Sequence, residues 1–195
     1  MKPTDSVTVT TVLSVDPGAA FRLFTDEVDL WWRRGPRYRP EVRGEGTMRF
    51  EPGVGGRLVE VYDETTGGAF EIGRILVWEP GARLVFDWRA RNFEPGEKTV
   101  VEVRFERSGD GTRVTLEHRG WDSIPAGHPA RHGWTGEAFS SMIGLRWADL
   151  LVSLRSNARE QLADPSVRRL RERSEPGAPA PHTPSRGGPR GPIAP

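Results

Sequence analysis

The sequence predicts an α+β domain in which an antiparallel sheet curves around one long helix. Two observations carry this prediction. Six short strand candidates follow one another with brief turn-forming separators, which is the pattern of an antiparallel meander. After them comes a long stretch with helical periodicity, whose apolar face needs a sheet to cover it. The 195 residues are enough for one such domain with a sizeable core.

The first part of the chain predicts one strand and two short helices. Residues 7–15 alternate apolar with polar side chains, which is typical of a half-buried strand. Asp16-Pro17 then opens a helix, with Asp as the N-cap and Pro at the first helical position. A second short helix, capped by Thr25-Asp26, ends in Leu30-Trp31-Trp32. The segment from Arg33 to Gly44 is basic and broken by Pro and Gly, so we expect a surface loop.

Six further strands are predicted, each bounded by turn residues. Their separators are short and contain Gly, Pro or Asp, so consecutive strands should pair as hairpins. The Gly-rich separator at 52–56 is a hairpin loop and not a phosphate cradle, because no helix follows it. The predicted strands are Thr47–Glu51, Arg57–Asp63, Phe70–Trp78, Arg83–Ala90, Thr99–Arg107 and Thr112–His118.

The long helix is predicted from Thr135 to Arg159. Thr135 is a suitable N-cap, Glu137 complements the helix dipole in the first turn, and Asp164-Pro165 supplies the stop. Apolar residues recur at the i, i+3, i+4 spacing of an amphipathic helix. This face consists of Phe139, Met142, Ile143, Trp147, Leu150, Leu151 and Leu154.

Charge and composition narrow the function classes. Residues 164–195 contain six Arg and three acids, a charge of +3, which leaves −2 on residues 1–163 of a chain with net charge +1. A domain of that charge has no general attraction to nucleic acid or to an anionic membrane. There is no cysteine, no apolar run of membrane-spanning length and no apolar signal-peptide core, so we expect a cytoplasmic protein without membrane insertion. We predict one domain at 1–163 and a disordered Pro/Gly/Arg-rich tail at 164–195.

Several stretches together resemble a known family. They are Gly56-Arg57-Leu58, the segments EIGRILVWEP (71–80) and RLVFDW (83–88), Leu30-Trp31-Trp32 after the second helix, and GTRVTLEH (111–118). This ordered set is similar to proteins related to the C-terminal domain of the heat-shock protein 90 ATPase activator, within the START-like (SRPBCC) superfamily. The resemblance covers about residues 6–160. Two positions depart from the family pattern: Arg146 precedes Trp147 where Gly is usual, and Gly81 replaces the second Pro of a Pro-Pro pair.

The resemblance implies the helix-grip fold, with a seven-stranded antiparallel sheet wrapped around the C-terminal helix and a cavity between them. It also implies three possible functions. The first is non-catalytic binding of a small hydrophobic, aromatic or lipid-like molecule. The second is a polyketide cyclase/aromatase-like enzyme, and the third is a co-chaperone-like stress or regulatory protein. A homodimer or a chaperone partner is possible for such a protein.

Strand alternation and helical phase predict which side chains face the cavity. Inward-facing residues of the last two strands are apolar, whereas Glu102, Arg104, Glu106, Arg113, Thr115 and Glu117 lie on the opposite, solvent-facing side. We therefore expect a hydrophobic ligand to contact Trp31, Met48, Phe50, Phe86, Trp88, Phe105, His118, Met142, Arg146 and Trp147.

Three of these predictions have alternatives. His118 is either a ligand anchor or acid–base group, or a histidine whose hydrogen bonds are satisfied within the core. Arg146 lies inside the apolar arc of the helix, where it either binds a ligand carboxylate, or extends out to solvent or pairs with an acid such as Glu60 or Asp87. The tryptophans 31, 32, 88 and 147 form either a ligand cage or core and cavity wall together.

The sequence contains no recognisable set of catalytic residues or metal ligands. The four histidines lack ligand spacing and have no cysteine partner, and His128 and His132 flank a proline-containing loop. The GxSxG motif of a serine nucleophile is absent. The sequence therefore predicts no cofactor, no metal and no catalytic residue, and a small hydrophobic molecule as the partner.

Overall fold

Seven strands and three α-helices make up the part of the chain that the computed structural model describes, residues 6–39 and 46–164. The strands are β1 (Ser6–Leu13), β2 (Thr47–Phe50), β3 (Arg57–Asp63), β4 (Gly68–Glu79), β5 (Arg83–Trp88), β6 (Thr99–Ser108) and β7 (Gly111–Arg119). The helices are α1 (Pro17–Thr25), α2 (Val28–Trp31) and α3 (Gly136–Ala163), with short 3-10 helices at Trp121–Ser123 and Pro129–Arg131. The predictions for the tail at 165–195 and for residues 40–44 of the basic loop lie outside the described residues.

All the strands belong to one antiparallel sheet in the order β1-β7-β6-β5-β4-β3-β2. Strands β2 to β7 follow each other as hairpins, and β1 pairs with β7 at the far edge. This is the predicted α+β helix-grip architecture, with two short helices after the first strand. Register shifts interrupt β3 between Leu58 and Val59 and β4 between Ile75 and Val77. Such irregularities bend and twist a strand, which allows the sheet to curve around a helix.

Gly73 is required where β4 passes close to the backbone of β5. A Cβ at this position would lie 1.7 Å from the backbone oxygen of Asp87. The Asp87 carboxylate accepts a 2.6 Å hydrogen bond from the backbone N–H of Arg74. This contact holds the two strands together next to the point where Trp88 enters the interior.

Helix α3 closes the sheet with the predicted apolar face. Its buried residues are Phe139, Ile143, Trp147, Leu150, Leu151, Leu154 and Ala158. Met142 is only half-buried, and the helix continues one turn beyond the predicted end, to Ala163. Thr135 takes the N-cap position without a side-chain hydrogen bond, and Asp164 is the C-cap. Among the described residues, no helix combines the length and the apolar character needed to cross a membrane.

Helix α1 fills one end of the space beneath α3. Asp16 caps it by accepting a 3.0 Å hydrogen bond from the Ala19 N–H, and Pro17 occupies the first turn as predicted. The helix buries Phe21 against Trp78, with ring centroids 5.0 Å apart, and Phe24 against Trp31, at 4.8 Å. The core at this end consists of packed aromatic rings.

The prediction that Glu102 faces solvent is wrong. Its side chain is on the outer side of β6, yet Arg83, Arg104 and Arg119 cover it, and the residue is only 4% exposed. Burial by itself would raise the pKa of this carboxyl, but the hydrogen bonds from the three arginines outweigh burial and hold the pKa below its usual range. Strand alternation predicted the side of the sheet correctly. It did not predict that long neighbouring side chains would cover the carboxylate.

Candidate ligand-binding cavity

A cavity of about 630 Å³ lies between the sheet and α3. This volume is in the range of sites that hold a small organic molecule. The loop after α2, strands β4, β5 and β7, the 3-10 segments and α3 all contribute to its wall. The lining residues are Trp32, 35–39, Ile72, 88–92, His118, Trp121, Ala130, His132, Ile143, Arg146, Trp147 and Leu150.

Three tryptophans form the inner wall of the cavity. Trp32 stacks on Trp88 with ring centroids 5.8 Å apart and an interplanar angle of 15°. Trp147 meets both rings edge-on, at 5.6 Å from Trp32 and 5.7 Å from Trp88. The Trp32 Nε1–H donates a 3.0 Å hydrogen bond to the Tyr38 carbonyl, which fixes that ring. The result is a rigid aromatic surface suited to a planar apolar ligand.

His118 packs against the Trp88 and Trp147 rings of this wall and is 2% exposed. The Trp147 Nε1–H donates to His118 Nδ1 over 3.0 Å, and the Thr99 hydroxyl is 2.7 Å from Nε2. An indole N–H can only donate, so Nδ1 is the bare nitrogen and Nε2–H donates to Thr99. Burial lowers the pKa of His118 to about 3, so the ring is neutral at neutral pH. Both ring nitrogens are therefore used within the protein, as the satisfied-histidine interpretation expects.

The mouth of the cavity is cationic. The Arg146 Nη1–H donates to His132 Nε2 over 3.4 Å, while the buried Arg146 Nε–H has no hydrogen-bond partner among the described residues. Burial, and then the charge of Arg37, lower the pKa of the Arg146 guanidinium. No Asp or Glu is among the described residues that line the cavity. Among the described residues, the hydrogen bond of Arg146 goes to His132 and not to Glu60 or Asp87, the acids considered as its partners.

Four predicted site residues line the cavity and six do not. Trp88, His118, Arg146 and Trp147 lie along its wall, and whether any of them contacts a ligand stays a prediction. The other six pack elsewhere in or against the core, away from the cavity: Trp31, Met48, Phe50, Phe86, Phe105 and Met142. Strand alternation correctly placed the sheet residues among these six inside, but it does not tell a cavity wall from a filled core.

Most of the missed lining residues come from loops. Tyr38 lies in the segment after α2, and Trp121 and His132 lie between β7 and α3. Neither strand alternation nor helical phase applies to such segments. One signal was present: the loop 33–39 contains arginines and an aromatic residue, and binding residues are disproportionately found on loops.

Comparison with known proteins identifies the family. The model of the family described as "Activator of Hsp90 ATPase homolog 1-like protein" matches residues 14–143. The chain belongs to this family. The match spans α1, most of the sheet and the start of α3, so it includes the loops and strands that line the cavity but not the lining residues Arg146, Trp147 and Leu150 of α3.

Solved structures agree with the fold of this family member. A Nitrosomonas europaea protein is 15% identical with a TM-score of 0.56, covering 84% of this chain and 100% of that one. A Mesorhizobium loti protein is 18% identical with a TM-score of 0.53, covering 87% and 98%. The Aha1 dimer from Colwellia psychrerythraea is 15% identical with a TM-score of 0.51, covering 77% and 92%. At these identities the likeness shows the fold alone. No curated protein matches the sequence.

Proposed function

We propose that this protein binds a small hydrophobic or aromatic molecule in the cavity and releases it unchanged. The observation that carries the proposal is a cavity of about 630 Å³ walled by aromatic rings. Protein interiors are normally packed to the density of organic crystals. We therefore expect a bound molecule to fill a space of this size beside a densely packed aromatic core.

The chemistry of the wall supports binding without turnover. A general acid or base must reach the ligand with a free nitrogen or oxygen and must have a suitable pKa. His118 meets neither condition, because both nitrogens are hydrogen-bonded and its pKa is lowered to about 3. Trp147 and Thr99 thus use both nitrogens of the histidine next to the aromatic wall. This is the main argument against the cyclase/aromatase-like alternative.

The co-chaperone alternative rests on relatives. The family name refers to an activator of the heat-shock protein 90 ATPase, and one similar structure is an Aha1 dimer. A chaperone partner or a second copy of the chain is compatible with a ligand in the cavity, because the cavity opens between loops and leaves the outer side of the sheet accessible. This alternative is distinguished by adding purified heat-shock protein 90 and measuring its ATPase rate with and without the protein.

Intrinsic fluorescence is a suitable measurement of binding. Four of the seven tryptophans line the cavity, so a ligand there should quench a large part of the emission. The full chain is titrated with fatty acids, flavonoids and polyketide mimics, and each mixture is then analysed by mass spectrometry. Saturable quenching with the ligand recovered intact is the expected result. Conversion of a ligand at a rate lost in His118→Ala would instead support the enzyme.

A variant that fills the cavity provides the control. Ala90 lines the cavity, and Ala90→Phe should abolish quenching. Ala82→Phe places the same side chain at an exposed turn outside the cavity and should leave quenching unchanged. Equal quenching in both variants would place binding elsewhere on the protein and refute the proposal.

A further inference from the structure

We propose that the ligand is an aromatic anion, a planar apolar body carrying a carboxylate or similar small anionic group that Arg146 binds at the mouth of the cavity. This inference rests on the proposed function and adds the chemical class of the ligand. It follows from the way the cationic groups of the mouth are arranged around the aromatic wall.

Arg146 has unused hydrogen-bond donors beside an apolar surface. A guanidinium carries five N–H donors in a planar fork that matches a carboxylate. The structure gives this guanidinium a single contact, 3.4 Å from Nη1 to His132 Nε2, and its buried Nε–H has no acceptor among the described residues. Leaving a buried donor of a charged group without an acceptor is costly. An anion at this point would supply the acceptor.

The neighbouring charges also favour an anion. Arg37 lies close enough for its charge to lower the pKa of Arg146, although burial is the larger cause. The nearest acid on the helix, Asp149, is already engaged by Tyr38 and by Arg33, whose Nη2 is 2.9 Å away. Within the described residues, neither Arg37 nor Arg146 forms an ion pair. Two guanidinium groups thus face one mouth without a carboxylate between them.

The backbone of His132, the residue that Arg146 contacts, has an uncommon conformation. Among the described residues it is the only non-glycine with a positive φ, 49°. This left-handed conformation is uncommon outside glycine and marks positions where the surroundings hold the backbone. Burial, followed by the charge of Arg146, lowers the pKa of His132, so the imidazole is neutral at neutral pH. It therefore accepts from Arg146 and orients the guanidinium without adding a competing charge of its own.

The aromatic wall determines the rest of the ligand. Trp32, Trp88 and Trp147 present ring faces and edges in the same cavity that Arg146 lines. A flat ring system stacks on such a surface. A ligand with a ring at one end and an anion at the other satisfies both parts of the site at once.

A matched pair of probes tests the charge requirement. Titration of the full chain with 2-naphthoate and with neutral 2-naphthamide compares the same ring with and without a negative charge. We expect 2-naphthoate to bind about 10- to 100-fold more tightly, the range for a hydrogen bond to a charged group. Arg146→Met keeps the length and apolar body of the side chain, and it should reduce that ratio to about 1–3.

Control variants separate the possible outcomes. Arg159→Met removes a charge from an exposed site on the same helix, outside the cavity, and should keep the parent ratio. Arg37→Gln, in a loop, should lower the ratio less than Arg146→Met and serves if the helix variant is unstable. Equal affinity of the two probes in the parent protein would overturn the anion proposal and leave the binding function intact. Failure of both probes to quench would overturn both proposals.

Discussion

The space between the sheet and α3 has two halves. Both are built from the same kinds of residue, but side chains fill one half and the other half is open. In the closed half, α1 inserts Phe21 and Phe24 so that rings fill the space, as in the edge-on contact of Phe21 with Phe105 at 5.3 Å. In the open half, loops replace the helix, and Trp32, Trp88 and Trp147 line a cavity of about 630 Å³. Aromatic character alone therefore does not separate core from binding wall. What separates core from binding wall is whether a helix or a loop covers the rings.

The largest expected effect is a contrast in stability between the halves. Phe24→Ala in the closed half should lower the free energy of unfolding by about 3–5 kcal/mol, because Phe24 is fully buried and leaves a cavity. Trp88→Ala in the open half should cost only about 1–2 kcal/mol, because its half-buried ring already borders open space. Urea denaturation measures both, with the exposed Trp134→Ala as a control near zero. Equal losses for Phe24 and Trp88 would mean that the two halves are equally packed.

This contrast explains what the sequence could and could not predict. The strands, the helices and the inward side of each strand follow from alternation, helical phase and turn residues, because these are local properties of the chain. Phe50 and Trp88 look alike at that level, since each is an aromatic residue on the inner side of a strand. Their different surroundings depend on where α1 and the loop 33–39 pack against the sheet. That is a long-range property with no periodic signal.

The same limit applies to polar residues. The environment of His118 was predicted only as two alternatives, because its partners Thr99 and Trp147 are 19 and 29 residues away in sequence. Arg146 was predicted inside the apolar arc by helical phase alone. Its neighbour His132 directly follows a 3-10 helix whose position neither strand alternation nor helical phase indicates. Sequence reasoning therefore identified the helix face of the site and missed its loops.

The second prediction concerns pH and the open half. His118 has a folded-state pKa of about 3, below its ordinary value, so the unfolded chain takes up a proton first as pH falls. Stability is complete above the ordinary pKa and is lost as pH falls below it. This residue should lower the free energy of unfolding by about 2 kcal/mol between about pH 8 and 5.

Comparison with a glutamine variant isolates that contribution. His118→Gln keeps an acceptor for Trp147 and a donor for Thr99 but does not titrate, so its stability should vary less over the same range. His132, whose pKa is also lowered, remains in the variant and contributes equally to both proteins. Parallel stability–pH curves for parent and variant would show that His118 is accessible to protons in the folded state.

The third prediction tests the hydrogen bond between the wall and His118. Trp147→Phe keeps an aromatic ring but removes the donor to Nδ1, leaving a buried acceptor without a partner. We expect a loss of about 1–3 kcal/mol in the free energy of unfolding. Trp78→Phe, in the closed half, removes an indole N–H for which the structure shows no hydrogen bond and should cost less. An equal cost in both would mean that ring size, and not the hydrogen bond, determines stability at Trp147.

The smallest expected effect comes from converting the open half into a closed one. Ala90→Phe adds a ring at the edge of the cavity, and filling space with apolar atoms commonly raises stability by about 0.5–1 kcal/mol. Ala82→Phe lies at an exposed turn and should not gain stability in this way. Comparing the two variants by thermal or urea unfolding therefore measures the effect of filling the cavity alone. A closed half cannot accept extra volume without strain, which costs about 1–3 kcal/mol. If Ala90→Phe destabilises the protein by that amount, the open half is already occupied by its own side chains. If it stabilises the protein and abolishes quenching by 2-naphthoate, this member of the family gives up stability to keep a binding site.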